Sequence, residues 1–297
     1  MFSSELWQEP AAGASSPIQG IFVYGQTNSA NSDLSNLVST EGVIATDTAG
    51  VGTARIDLAG CGYGDDKGIF AFGNGEAGFA NIKNLVSSSG VVASDGTGVG
   101  TARYFLAACG YGDDKGIFGF GITSSVTNLS NLVSNSGVVA TDTAGVGTSR
   151  AQLSACTYGG DKGIFSFGDS GAGTNLVSNS GVVATDVTQV GTSRSYSVAC
   201  TYSTDKGIFG FGYTGSNTGV TNLVSNSGVV ASDTAAVGTA RRVAACTAYG
   251  VGTGIVGFGY VARYATMSNL ISDEGVVASD VTLVGTQRYQ LAACTFG

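Results

Sequence analysis

Histidine is absent from the sequence. With it goes the side chain that most often serves as general base and as metal ligand near neutral pH. No nucleophile stands beside a base in the text, so the chain is expected to be non-enzymatic. There is no CxxC pair, and without His a zinc site has little basis. No metal and no cofactor are therefore expected. Charge is also scarce: 11% of residues are charged, with 13 basic against 21 acidic and a net charge of −8. A nucleic-acid binder carries a basic patch or stripe, and this chain has no basic cluster, so nucleic acid and anionic membrane surfaces are excluded as partners. No apolar run approaches the roughly 20 residues needed to cross a bilayer. The opening MFSSELWQEP has neither a basic nor an apolar signal region, which reads as no signal peptide. Both prolines, Pro10 and Pro17, and the single tryptophan, Trp7, fall in the first 17 residues.

Glycine, by contrast, is abundant at 48 residues, and 43% of the chain is hydrophobic. The glycines follow a repeat. The motif G-I-[FV]-x-[FY]-G begins at Gly20, Gly68, Gly116, Gly163, Gly207 and Gly254, in steps of 48, 48, 47, 44 and 47. The arginine closing VGT[AS]R or VGTQR falls at Arg55, Arg103, Arg150, Arg194, Arg241 and Arg288, in steps of 48, 47, 44, 47 and 47. Cys61, Cys109, Cys156, Cys200, Cys246 and Cys294 follow in steps of 48, 47, 44, 46 and 48. Cysteines in phase with a repeat read as one small, buried position used six times rather than as a disulfide framework.

Each repeat holds four short segments, in the third Tyr104–Cys109, Lys115–Gly121, Thr127–Ser134 and Gly137–Thr143. They are rich in Val, Ile and Phe and are separated by the turn texts GYGDDKG, SNSG and DTAGVG. Four strands per ~47 residues is the measure of a propeller blade. The expected fold is therefore all-β: a six-bladed β-propeller, with four antiparallel strands per blade, over residues 18–297. The chain enters its first repeat at a second strand, Gln19–Gly25, and ends with an unpartnered first strand, Tyr289–Cys294. Pairing of the two would complete the sixth blade and remove open edges. A β-solenoid is the rival fold, but it needs atypical capping repeats, and neither end reads as one.

The text R-Y-F-L-A-A-C-G-Y-G-D-D-K-G-I-F-G-F-G from Arg103, followed by T-N-L-V-S-N and G-V-V-A-T-D, resembles a kelch repeat. The resemblance implies that the Arg opens the innermost strand and that an aromatic-rich second strand ends in Gly. It departs from kelch in two places: the double glycine is Phe-Gly, as at Phe120–Gly121, and the last strand has no Trp. Copper-radical oxidases on kelch-like propellers use His ligands, which this chain does not contain. The nearest text to a sialidase Asp-box, Ser94–Gly98, lacks its spacing and its Trp.

Asp47, Asp95, Asp142, Asp186, Asp233 and Asp280 each stand eight residues before a recurring Arg. Six identical copies point to a structural hydrogen-bond or ion-pair role; the alternative is a ring of charge that binds ions or ligands. Function is expected where the repeats differ. The connector between second and third strands varies most, and only some copies carry Glu76, Phe79, Lys83, Tyr213, Tyr260, Arg263 and Tyr264. Residues 1–17 lie outside the repeat and, with Phe2, Leu6 and Trp7, read as an anchoring arm. Strand alternation places that arm on the face opposite the variable connectors.

The long phrase T-N-L-V-S-N-S-G-V-V-A-T-D-T-A-G-V-G-T-[AS]-R, with D-K-G-I-F-G-F-G, resembles repeats in structural and tail-fibre proteins of tailed bacteriophages. The resemblance implies a virion component assembled in the host cytoplasm, in a tail fibre, baseplate or capsid decoration. Its partners would be other virion proteins through the arm and a host-surface glycan or receptor through the variable face. A cytoplasmic kelch-like interaction scaffold is the alternative.

Overall fold

The computed structural model describes residues 18–169, 173–235 and 237–297; Phe2, Leu6 and Trp7 lie outside them. Among the described residues every regular element is a strand, and every strand pairing is antiparallel. The third repeat illustrates the plan. Its inner strand Ala107–Tyr111 turns through Gly112 and Asp113, both left-handed (φ 56° and 64°), into the middle strand Lys115–Gly119. The outer strand Ser130–Val133 pairs on the far side, with Ile117 opposite Cys109 and Leu132. The middle strand is buried on both faces, which is why its text runs apolar without alternation. The inner strand alternates, with Ala107, Cys109 and Tyr111 more buried than Ala108 and Gly110.

The inner strands stand side by side. Ala59–Tyr63 lies beside Ala107–Tyr111, then follow Ser154–Tyr158, Val198–Tyr202, Ala245–Tyr249 and Ala292–Phe296, and the last lies beside the first. The first and last described strands pair as expected: Gln19–Val23 pairs with Ala292–Phe296 (Ile21 opposite Cys294) and with Ser35–Val38. Neighbouring sheets pack through their middle-strand aromatics, as where Phe72 meets Phe118 edge to face at 5.4 Å. Burying each such ring is worth about 1.5–3 kcal/mol. Gly116 explains the invariant glycine of the motif. A Cβ there would come 2.5 Å from Cys61 Sγ of the preceding sheet.

Two expectations need correction. The fourth segment is not a regular strand in most repeats. In the third it touches the outer strand only at bridges Val139–Val133 and Thr143–Ser130, and two-residue strands form only at Val187–Thr188 and Val281–Thr282. The segment is an edge, and Val138 points outward at 57% exposure, so little apolar burial holds it flat. Nor does the arginine open the inner strand. Phe105, two residues after Arg103, is left-handed (φ 54°), which interrupts the extended run and delays the strand to Ala107.

The arginines instead lock each sheet to its neighbours. Arg103 has no exposed surface. Its Nη2 donates to Asn131 Oδ1 at 2.6 Å and its Nε to the Phe120 carbonyl at 2.9 Å. Its guanidinium lies 4.1 Å from the centre of the Phe72 ring in the preceding sheet. Asn131 Nδ2 donates to Asp142, which also accepts from the Thr101 N–H and Oγ1 on the incoming connector. All six Thr–Asp hooks recur, and the last, Thr286 to Asp47, joins the C-terminal part of the chain to the N-terminal part. The recurring aspartate thus serves the Arg about forty residues before it, as Asp142 sits 3.8 Å from Arg103, with Asp47 serving Arg288 across the seam, and not the Arg eight residues after it. Burial raises the Asp142 carboxyl, but the Thr101 and Asn131 hydrogen bonds and the Arg103 charge outweigh it and hold it below its ordinary value. Phe120 and Gly121, the pair that replaces two glycines, are both left-handed (φ 65° and 105°). That conformation costs a non-glycine residue about 1–2 kcal/mol. Stacking the Phe120 ring under Arg150, at 4.3 Å, offsets it.

Candidate binding face

The residue two places after each arginine is left-handed in all six repeats: Asp57, Phe105, Gln152, Tyr196, Val243 and Gln290, with φ from 48° to 58°. Their backbones are joined in a cycle. The Phe105 N–H donates to the Asp57 carbonyl, Gln152 to Phe105, Tyr196 to Gln152, Val243 to Tyr196, Gln290 to Val243, and Asp57 to Gln290, at 2.8–3.3 Å. These residues and the one following each line a shallow depression of about 80 Å³. The backbone here is six times the same, while the six side chains are of five kinds.

A second tier surrounds them. The residue directly after each arginine sits against the first residue of the variable connector: Ile56 with Asn74, Tyr104 with Ile122, Ser195 with Tyr213, Arg242 with Tyr260, and Tyr289 with Gln26. At Ala151 the connector residue Asp169 supplies both its N–H, to the Ala151 carbonyl, and a carboxylate oxygen, to the Ala151 N–H. The result is concentric tiers of unrepeated side chains on the face of the variable connectors.

Aromatic residues occupy two sectors. In one, Phe79 stacks on Tyr104 at 4.6 Å, Tyr104 contacts Phe105 at 4.8 Å, and Phe105 meets Tyr196 edge-on at 5.5 Å. In the other, Tyr260, Tyr264 and Tyr289 form a triangle with centroids 5.2–6.4 Å apart. The Arg242 guanidinium lies 4.6 Å from the Tyr213 ring and 5.0 Å from the Tyr260 ring. Between the sectors Gln290 Nε2 donates to Asp57 Oδ2 at 2.9 Å. Burial pushes the Asp57 carboxyl well above its usual range, against the lowering effect of that bond.

Of the connector residues singled out from sequence, Phe79, Tyr213, Tyr260 and Tyr264 converge on this face. Arg263 is exposed beside the tyrosine triangle, with its carbonyl accepting from the Val261 N–H. Glu76 is exposed at a tight turn between Gly75 and Gly78. Lys83 does not belong to the connector: it begins the strand Lys83–Val86, and its ammonium donates to the Gly137 carbonyl in the next sheet's turn. The sequence reading missed Tyr104, Phe105, Tyr196, Arg242, Tyr289 and Gln290. Their signal was available, because the two residues after the arginine read Ile-Asp, Tyr-Phe, Ala-Gln, Ser-Tyr, Arg-Val and Tyr-Gln.

At the other end of the inner strands a larger cavity, about 330 Å³, is lined by their small side chains and by the turns bearing Asp65, Lys67, Asp113 and Lys115. Ile18 lines it as well. All six cysteines are free thiols. Five occupy one position, facing the glycine of a neighbouring sheet, but Cys246 does not. Val256 lies opposite Cys246 and Ile255 opposite Thr247, whereas Ile117 lies opposite Cys109. Thr247 therefore takes the buried place and Cys246 moves to a half-buried one. The cysteine step of 46 against an arginine step of 47 was the sequence trace of this slip.

No protein-family model matches the chain, and no curated protein matches it.

Proposed function

We propose that the chain is a closed six-bladed β-propeller acting as a non-enzymatic binding module on the surface of a tailed-phage virion. Closure is supported by the cyclic order of the inner strands, the backbone hydrogen-bond cycle through Asp57 and Gln290, and the Thr286–Asp47 hook. The observation that carries the binding role is the placement of variation. A repeat whose frame residues recur six times has its aromatic exceptions gathered on one face, around one depression. Selection for folding alone has no reason to diversify those positions together, whereas recognition of an irregular ligand does.

The ligand is a host-surface glycan or receptor. Tyr side chains offer rigid area at low entropic cost, and Arg, Gln and Asn supply directed hydrogen bonds. Virion placement rests on the wording of the repeat. Docking through residues 1–17 is supported by the position of Ile18, whose carbonyl accepts from the Gly250 N–H at the mouth of the larger cavity, on the face opposite the variable one.

Cryo-electron microscopy of particles from the native source tests this. The expected result is the protein in stoichiometric copies, with residues 1–17 against a head or tail protein and the variable face outward. Its absence from particles, or a variable face buried against another virion protein, would overturn the reading.

A further inference from the structure

The chain has 13 basic residues, and a structural assignment of each leaves two. Arg55, Arg103, Arg150, Arg194, Arg241 and Arg288 are buried between sheets. Lys67, Lys115, Lys162 and Lys206 recur in the turns of the opposite face, the first three beside an adjacent aspartate. Lys83 is tied to the Gly137 carbonyl. Arg242 and Arg263 remain. They are the unrepeated cations of the variable face, in a protein of net charge −8; Arg242 lies against the Tyr260 ring of the triangle, and exposed Arg263 directly precedes Tyr264.

That sector is also well braced. The Tyr264 hydroxyl donates to the Thr27 carbonyl at 3.1 Å, and the Tyr289 hydroxyl donates to Gln26 Oε1. Arg242 Nη1 donates to Asn217 Oδ1 at 3.2 Å, and Asn217 Nδ2 donates to the carbonyls of Tyr260 and Val261. A guanidinium flanked by two rings and held at one edge loses little freedom when its other edge meets an acceptor. Among the described residues no carboxylate lies within ion-pair distance of it, and Asp33, on the adjoining connector, packs against Gly50. A planar fork donor beside half-buried aromatic rings matches a ligand with a carboxylate and an apolar ring face. A carboxylate-bearing pyranose has both.

Resting on the binding role proposed above, we infer that Arg242, Arg263, Tyr260, Tyr264 and Tyr289 form a subsite for an acidic sugar, with the carboxylate on Arg242 and the ring on the tyrosines. Gln290 and the 80 Å³ depression beside it are placed to take an exocyclic hydroxyl or amide.

The test uses the full chain and four probes: α-methyl N-acetylneuraminide, methyl β-glucuronide, methyl β-galactoside and sodium acetate, with affinities measured by NMR titration. At least one acidic glycoside should bind about tenfold or more tightly than the galactoside, a gap of ~1.4 kcal/mol, and more tightly than acetate. Arg242→Gln should remove that preference. Arg263→Gln, at an exposed side chain that folding does not need, should weaken it. Lys115→Gln on the opposite face should change nothing. Equal binding of acidic and neutral glycosides, a preference that survives both arginine changes, or no saccharide binding at all would overturn the subsite. The wider reading would still stand if variable-face substitutions abolished binding to host cells, and would fall if they did not.

Discussion

Replacing Arg103 by Met removes the charge and the donors while keeping the length of the stem. In the native protein, burial pulls the guanidinium down to about 10, which leaves it charged at neutral pH. Its loss strips two buried acceptors, Asn131 Oδ1 and the Phe120 carbonyl, of their donors, at about 1–3 kcal/mol each. It also removes the stacking on Phe72, worth about 1–2 kcal/mol in a dry site. Relief from burying a cation returns part of this, so the net cost should be about 3–5 kcal/mol. At roughly 2–4 °C per kcal/mol for a large domain, the melting temperature should fall by about 6–20 °C. The sixth repeat supplies an internal control. Arg241 makes no hydrogen bond to Asn269, whose Oδ1 is buried without a partner, so Arg241→Met should cost about 1–2 kcal/mol less than Arg103→Met. Calorimetry and urea titration of the two variants decide. A cost below about 1 kcal/mol at Arg103, or a larger cost at Arg241, would refute the view that this clasp holds the sheets together.

Three further outcomes follow from the same geometry. Burial raises the thiols of Cys61, Cys109, Cys156, Cys246 and Cys294, Cys61 to about 12, so native protein at pH 8 should label slowly with maleimide; half-buried Cys246 should react first, and labelling led by Cys109 would contradict the register slip. Asp57 has its carboxyl raised by burial, so the folded state holds its proton above the unfolded value near 3.9 and stability declines as pH climbs from there toward the folded value. Asp57→Asn keeps the acceptor for Gln290 and should flatten that decline in a melting-temperature profile; an unchanged slope would show that Asp57 is not its source. The six recurring aspartates are held below their ordinary value, so their contribution is complete above about pH 4 and is lost as pH falls through the folded values. Acid unfolding followed by circular dichroism should begin at a higher pH for Asp142→Asn than for the native chain, which keeps that contribution until pH falls below this range; an unchanged onset would show that the carboxylate adds nothing.

Spacing alone carried much of the fold. The phase of Gly, Arg and Cys gave six units, and the offset between the first and last repeats gave the pairing of Gln19–Val23 with Ala292–Phe296. The fourth segment was not legible, because V-V in an edge segment reads as core although Val138 faces outward. Nor were the Asp partners, since Asp142 finds Arg103 through folding and not through the nearer Arg150. The candidate site was half legible. Connector variation exposed Phe79, Tyr213, Tyr260 and Tyr264. Tyr104, Arg242 and Tyr289 were hidden because they follow a recurring arginine in text that reads as strand. Only the left-handed turn after it brings them beside the connectors.

The most direct measurement is adsorption of labelled protein to host cells, comparing a variable-face variant, Tyr260→Ala with Tyr289→Ala, against an opposite-face variant, Lys115→Ala with Lys162→Ala. The account predicts that the first loses binding while keeping its melting temperature within a few degrees, and that the second adsorbs like the native chain. Loss of adsorption in the second variant with retention in the first would contradict it.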